Sequence, residues 1–176
     1  MKNSILKLSQ CLIAILVIGV TSCSDDDTTA EKSTMDLLVG TWTTSSVDID
    51  ATVEGQSLTD YLVNEVGLSE NEAADQYALF EAALVSEVTG SLTLNADNTY
   101  ESSFAGNSDS GTWSLSSDEN TLTLLEGTDA IVVTINSLTA NTLSGSLGDD
   151  IMQDLDDDPG TPDETITVVA TIILTK

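Results

Sequence analysis

The feature that most restricts how this chain can fold lies between residues 89 and 148, where six short runs alternate apolar and polar side chains with only turn residues between them. The runs cover 89–95, 99–104, 111–116, 121–125, 130–135 and 141–147. A period of two places successive side chains on opposite faces, the pattern of a half-buried strand. Ala96-Asp97-Asn98 tolerates the left-handed conformations of a tight hairpin, and later breaks fall at Gly106, Asp118-Glu119-Asn120 and Gly127. Consecutive strands are therefore expected to pair antiparallel as a meander.

A first strand over 39–49 and a last one over 165–175 bring the count to about eight, and closing such a sheet removes its exposed edges. The predicted fold class is mainly β, an antiparallel up-and-down barrel of about eight strands. Its interior face carries Leu92, Leu94, Tyr100, Phe104, Trp113, Leu122, Leu124, Ile131, Val133, Leu143, Ile172 and Leu174 among others. Eight strands leave room either for these side chains alone or for one small ligand. The expectation is a filled barrel.

Residues 57–88, between strands 1 and 2, have a different period. Ser57-Leu58-Thr59-Asp60 starts a short helix that stops at Gly67, and Ser69-Glu70-Asn71-Glu72 is a capping box. Ala73, Tyr77, Phe80 and Leu84 then recur at three- and four-residue spacing, which gives a second helix one apolar face. Two helices are predicted to close one end of the barrel with Tyr61, Tyr77, Phe80 and Leu84 inward, as a lid over a ligand entrance or, the favoured alternative, as a structural plug.

Gly40-Thr41-Trp42, the run Leu92 to Tyr100 and Gly111-Thr112-Trp113 together resemble the lipocalin-like domains of bacterial surface lipoproteins. In the wider group a Gly-x-Trp starts the barrel and the indole closes one end, so the resemblance implies that role for Gly40 and Trp42, with Gly111 and Trp113 as a second barrel motif. In eukaryotic lipocalins an Arg stacks on that Trp, and this chain contains no Arg. The related fatty-acid-binding proteins carry a helix-turn-helix at the position of 57–88.

Before the barrel, Lys2 and Lys7 flank an apolar stretch of about ten residues that ends at Val20, too short for a hydrocarbon core of roughly 30 Å. Thr21-Ser22-Cys23 resembles a lipoprotein processing site, which implies lipid on Cys23 after removal of residues 1–22. The following Ser24-Asp25-Asp26-Asp27 resembles the surface-export signal of one group of Gram-negative bacteria, and Asp27-Thr28-Thr29 resembles an O-glycosylation acceptor. The expected organisation is a signal peptide (1–22), an acidic tether (23–36) and a barrel (37–176), anchored by lipid at the outer membrane and facing outward.

Loss of Lys2 and Lys7 would take the formal charge from −26 for the whole sequence to −28. Such a surface repels nucleic acid, which is excluded as a partner. Enzyme chemistry is not expected, because the chain lacks His and Arg and keeps no thiol free of lipid. No catalytic residue is assigned, and a monomer is expected. Asp154, Asp156 and Asp158 have the one-three-five spacing of hard oxygen ligands, so Ca²⁺ is the one candidate cofactor, held by a loop over 149–164. The functional expectation is a non-catalytic binding module for a small apolar or glycan ligand. The alternative is an accessory subunit with a filled barrel, Ca²⁺-stabilised, that presents its loops to a protein partner.

Lipidation has a direct check. Cys23→Ala should abolish labelling by a palmitate analogue in cells and leave the signal peptide uncleaved; a variant that still takes up label would overturn the assignment.

Overall fold

A computed structural model describes residues 32–156 and 163–176. Cys23, Ser24, Asp25, Asp26, Asp27 and Asp158, with the signal peptide and most of the tether, lie outside the described residues. Residues 32–176 form one compact unit.

The alternating runs form the expected meander. After a helical turn α1 (Thr34–Leu38) come β1 (Gly40–Val53), the two-residue return β2 (Gln56–Ser57), α2 (Leu58–Asn64) and α3 (Glu70–Glu87). The strands β3 (Gly90–Leu94), β4 (Thr99–Phe104), β5 (Asn107–Leu115), β6 (Thr121–Glu126), β7 (Asp129–Leu138), β8 (Thr142–Gln153) and β9 (Glu164–Thr175) follow. Each of β3 to β9 pairs antiparallel with the next, β1 pairs with β3, and β1 also pairs with β9. The sheet is therefore a closed eight-stranded barrel in which β2 is an appendage of β1. The helix pair sits between the first and second barrel strands, as the sequence predicts.

Turn chemistry sets the hairpins. Asn98 takes a φ of 67°, and the Asp97 carboxylate accepts from the Thr99 backbone N–H at 3.1 Å and the Thr99 hydroxyl at 2.6 Å. Gly111 lies where β4, β5 and β6 crowd together: a Cβ there would stand 2.0 Å from the Leu125 carbonyl oxygen and 2.9 Å from the Tyr100 ring.

Three boundaries differ from the sequence reading, each for a physical reason. The first strand starts at Gly40, because Ser33 and Asp36 form a capping box that holds 34–38 in one helical turn. That strand then runs to Val53, since Ala51 and Val53 continue its buried face. The acidic segment from Asp149 to Gln153 is strand, not loop: Ile151 pairs with Ile166, and the Asp150 carboxylate accepts from the Thr167 hydroxyl at 2.9 Å.

Two apolar clusters lie along the inner face. The first gathers Leu38, Trp42, Leu92, Leu94, Tyr100, Trp113, Leu122, Leu124, Leu143 and Leu174 at the end where β1 starts. The second packs α2 and α3 onto the far halves of β1 and β9 through Ile49, Ala51, Val53, Leu58, Tyr61, Leu62, Ala73, Ile166, Val168 and Ala170. In the first cluster the fully buried Trp42 donates its Nε1–H to the Leu38 carbonyl at 2.7 Å, which ties β1 to the last turn of α1. The Lys176 ammonium stands 4.1 Å from the centre of the Trp42 ring. It also donates to the carbonyls of Leu37 and Val39. Gly40, at a φ of 135°, lets the lysine stem pass 3.0 Å from where a Cβ would be.

Replacing Trp42 by Phe keeps most of the ring volume but removes the donor to Leu38. Urea unfolding should show a loss of about 1–3 kcal/mol, the cost of an unpaired buried polar group. An unchanged midpoint would show that the indole N–H does not hold α1.

Candidate functional site

The barrel is not filled, contrary to expectation. A cavity of about 480 Å³ lies between the first cluster and the end of α3. Leu92, Leu122, Leu143 and Leu174 form its floor, Val133 and Ile172 its walls, and Glu87 and Val88 its roof. Phe104, Asn107, Asp109 and Ile131 also line it. Ile131 points inward by register yet is 53% exposed, so the cavity opens to solvent on the β4 to β7 side. A list of inward side chains cannot reveal this space, because it counts residues without their volumes. Part of the signal is legible afterwards: Gly145 stands in the inward column of β8, opposite Ile172, where the pattern calls for a side chain.

None of the four candidate lid residues lines the cavity. Tyr61 is buried in the second cluster, and Tyr77, Phe80 and Leu84 pack against it. The Tyr77 hydroxyl donates to the Ile49 carbonyl at 2.7 Å, and the Tyr61 hydroxyl donates to a Glu164 oxygen at 3.5 Å. Capping of both helices proceeds as their sequences indicate, with the Ser57 hydroxyl accepting from Asp60 N–H and Ser69 and Glu72 forming a reciprocal box. The pair covers the far halves of β1 and β9, and only the end of α3 reaches the cavity.

Asp154 and Asp156 do come together, but with Glu164, the three carboxylates lying within 4.8 Å of one another. Glu164 also accepts from Leu155 N–H at 2.9 Å. Sequence spacing missed Glu164 because β8 and β9 pair across the loop and bring its ends together, Gln153 opposite Glu164. This is oxygen-ligand chemistry of the type hard cations take. Two of them, Asp156 and Glu164, border a separate polar depression of about 640 Å³ shared with Tyr61, Glu54 and Thr167.

The family described as "Lipocalin-like domain" matches residues 38–145, more than half of the 176-residue sequence. The chain belongs to this family. No curated protein matches it. Among solved structures it is similar to a DUF4847 family protein from Bacteroides vulgatus ATCC 8482, with 12% identity, 79% of this chain and 93% of that chain covered, and a TM-score of 0.39.

In this lipocalin-like domain Trp42 and Trp113 belong to the first cluster, beneath the cavity, while Gly40 and Gly111 stand opposite its Leu94 and Tyr100. Trp113 donates its Nε1–H to the Asn95 carbonyl at 3.0 Å and is almost fully buried. The cation on the Trp42 ring is Lys176, from the far end of the sequence. Its burial and the nearby Lys32 hold the ammonium below the usual lysine range. A search for Arg alone overlooks it, although an ammonium meets the same ring face.

The chain has three tyrosines, and all three are shifted the same way. Burial chiefly, and then Glu164, pushes the Tyr61 phenol above 10.0. Burial does the same for Tyr77, followed by Glu81, and for Tyr100, followed by Glu126 and Asp109. A phenol whose folded pKa is raised contributes stability that is present below its unfolded pKa and lost as pH climbs through the folded value. Absorbance titration should show no tyrosine ionising at or below about pH 10, with stability falling above it. One phenol titrating at its ordinary value would contradict the packing of that residue.

Proposed function

We propose that this lipocalin-like domain is a non-catalytic binding module that takes one small apolar ligand into the barrel cavity. The observation that carries the reading is the cavity itself, apolar on floor and walls and open at one side. Its volume falls within the roughly 300–1,000 Å³ of small-molecule sites. A glycan would need a wall of hydrogen-bonding side chains, whereas Leu, Val and Ile dominate this one. The accessory-subunit alternative presumes a filled barrel, so the open cavity favours the binding module over it. A lipid on Cys23 and the acidic Ser24 to Asp27 would tether the module at the outer membrane, facing outward, where a scavenged apolar compound is met before it crosses the envelope.

The test uses residues 24–176, which retain the whole compact unit. N-phenyl-1-naphthylamine, a neutral apolar dye, should bind saturably at one site. Val133→Phe pushes a ring into the cavity wall and should weaken that binding by about tenfold or more, since even one methylene of misfit in an apolar pocket costs ~10-fold, while leaving the circular dichroism spectrum unchanged. Absence of saturable binding, or binding indifferent to Val133→Phe, overturns the reading.

A further inference from the structure

We propose that the cavity selects hydrophobic amines and quaternary ammonium amphiphiles over fatty carboxylates. The inference rests on the cavity being the ligand site and adds the chemistry of the head group.

Two acids, Glu87 and Asp109, line the cavity, and the register sets two more, Glu126 and Asp129, at the same end of the strands. On β5, Asp109 has the same parity as Trp113 and therefore faces inward, opposite Ser102 of β4. On β6, Glu126 continues the inward column of Leu122 and Leu124. Asp129 stands directly opposite Glu126 across the β6 to β7 turn. Glu87, the last residue of α3, supplies a fourth carboxylate from the roof. Glu126 and Asp109 both raise the pKa of the buried Tyr100 phenol, so the two charges lie on the same side of the barrel as that ring.

The pairing of Glu126 with Asp129 is unusual for this chain. Elsewhere in the described ladder every strand acid stands opposite a neutral residue, as in Asp48 with Thr171, Asp50 with Val169, Glu101 with Ser110 and Asp150 with Thr167. Like charges placed directly opposite are destabilising, and the fold avoids them until the cavity mouth. No Lys or Arg lines the cavity, and Lys176 is engaged at the floor with Trp42. A carboxylate head at this mouth would meet Glu87 and Asp109 in the lining, with Glu126 and Asp129 beyond them at the ends of β6 and β7, and no cation. An ammonium head would instead meet those acids and the ring of Phe104, which lines the same opening and offers a cation–π face.

The experiment displaces N-phenyl-1-naphthylamine from residues 24–176 with three ten-carbon amphiphiles below their micelle concentrations: decyltrimethylammonium, decan-1-ol and decanoate. At low salt the ammonium should compete about tenfold or more better than the carboxylate, since several exposed ion pairs contribute a few-fold each. The margin should shrink in about 0.5 M NaCl, where screening is nearly complete. A Glu87→Gln, Asp109→Asn, Glu126→Gln variant, with each amphiphile's competition normalised to the variant's own dye affinity, should lose the head-group preference. A control of equal charge change away from the mouth, Asp48→Asn, Glu65→Gln, Asp75→Asn, should keep it. Equal displacement by all three amphiphiles overturns head-group selection while leaving the cavity reading intact. So does a control variant that loses the preference equally, because overall charge then explains it. Failure of the neutral dye to bind removes the cavity reading and this inference together.

Discussion

Closure of the sheet depends on one strand that changes partners. β1 pairs with β3 only from Gly40 to Thr43, and from Thr43 to Val53 it pairs with β9, with an irregularity between Thr44 and Ser46 that bends it across. Past Thr43 its other edge has no strand beside it until β2 returns at Thr52. Exposed backbone groups on such an edge need partners. At the point in the chain where the gap arises, the helical insertion donates the Tyr77 hydroxyl to the Ile49 carbonyl, and the Thr44 side chain of β1 in turn bonds the Val88 carbonyl and Gly90 N–H where the insertion ends. The helices thus follow from the way the barrel closes, and their apolar face finds the far halves of β1 and β9 because those strands outrun their neighbours.

The same closure explains what the sequence discloses. Period-two runs, capping boxes and turn residues are local signals, and they located nearly every strand and both insertion helices before any tertiary contact was known. Lipocalin-like character was equally legible, carried by Gly40, Trp42, Gly111 and Trp113. What escaped depends on distance through space. Lys176 reaches Trp42 from the opposite end of the chain, Glu164 joins Asp154 and Asp156 only through strand pairing, and the cavity arises from which strands the helices happen to cover. Tyr61, Tyr77, Phe80 and Leu84 are buried or packed against the second cluster, as their apolar face requires. Periodicity alone does not say against which part of the barrel.

Acidic composition imposes a second constraint. With 30 acids against four lysines, ion pairing cannot hold this fold, and no polar or charged residue is buried among the described ones. Packing and backbone pairing carry the stability, helped by hydroxyl contacts such as Thr41 with Thr93 and Ser146 with Thr171. Apart from Glu126 and Asp129, which face each other, acids on the strands stand opposite Thr, Ser, Val or Gln, which spreads the charge and limits repulsion. Carboxylates at turns do local work instead: Asp97 and Asp118 accept from neighbouring hydroxyls and N–H groups, which hold both below the ordinary carboxylate value.

On the binding-module proposal, having two clusters instead of one continuous core would also decide how a ligand reaches the cavity. A helix pair laid across the whole mouth would have to undock for each exchange, breaking the burial of Leu58, Tyr61 and Leu62 every time. Here those residues are committed to the far halves of β1 and β9 and contribute nothing to the cavity's open side. The rim from β4 to β7 is the exposed part of the barrel, and the apolar side chains displayed there, Phe104 and Ile131, sit on the route inward. Entry of the proposed ligand by that route would leave the elements that keep the barrel closed packed. Stability and access are assigned to opposite sides of the same sheet, and the single strand exchange in β1 is what separates them.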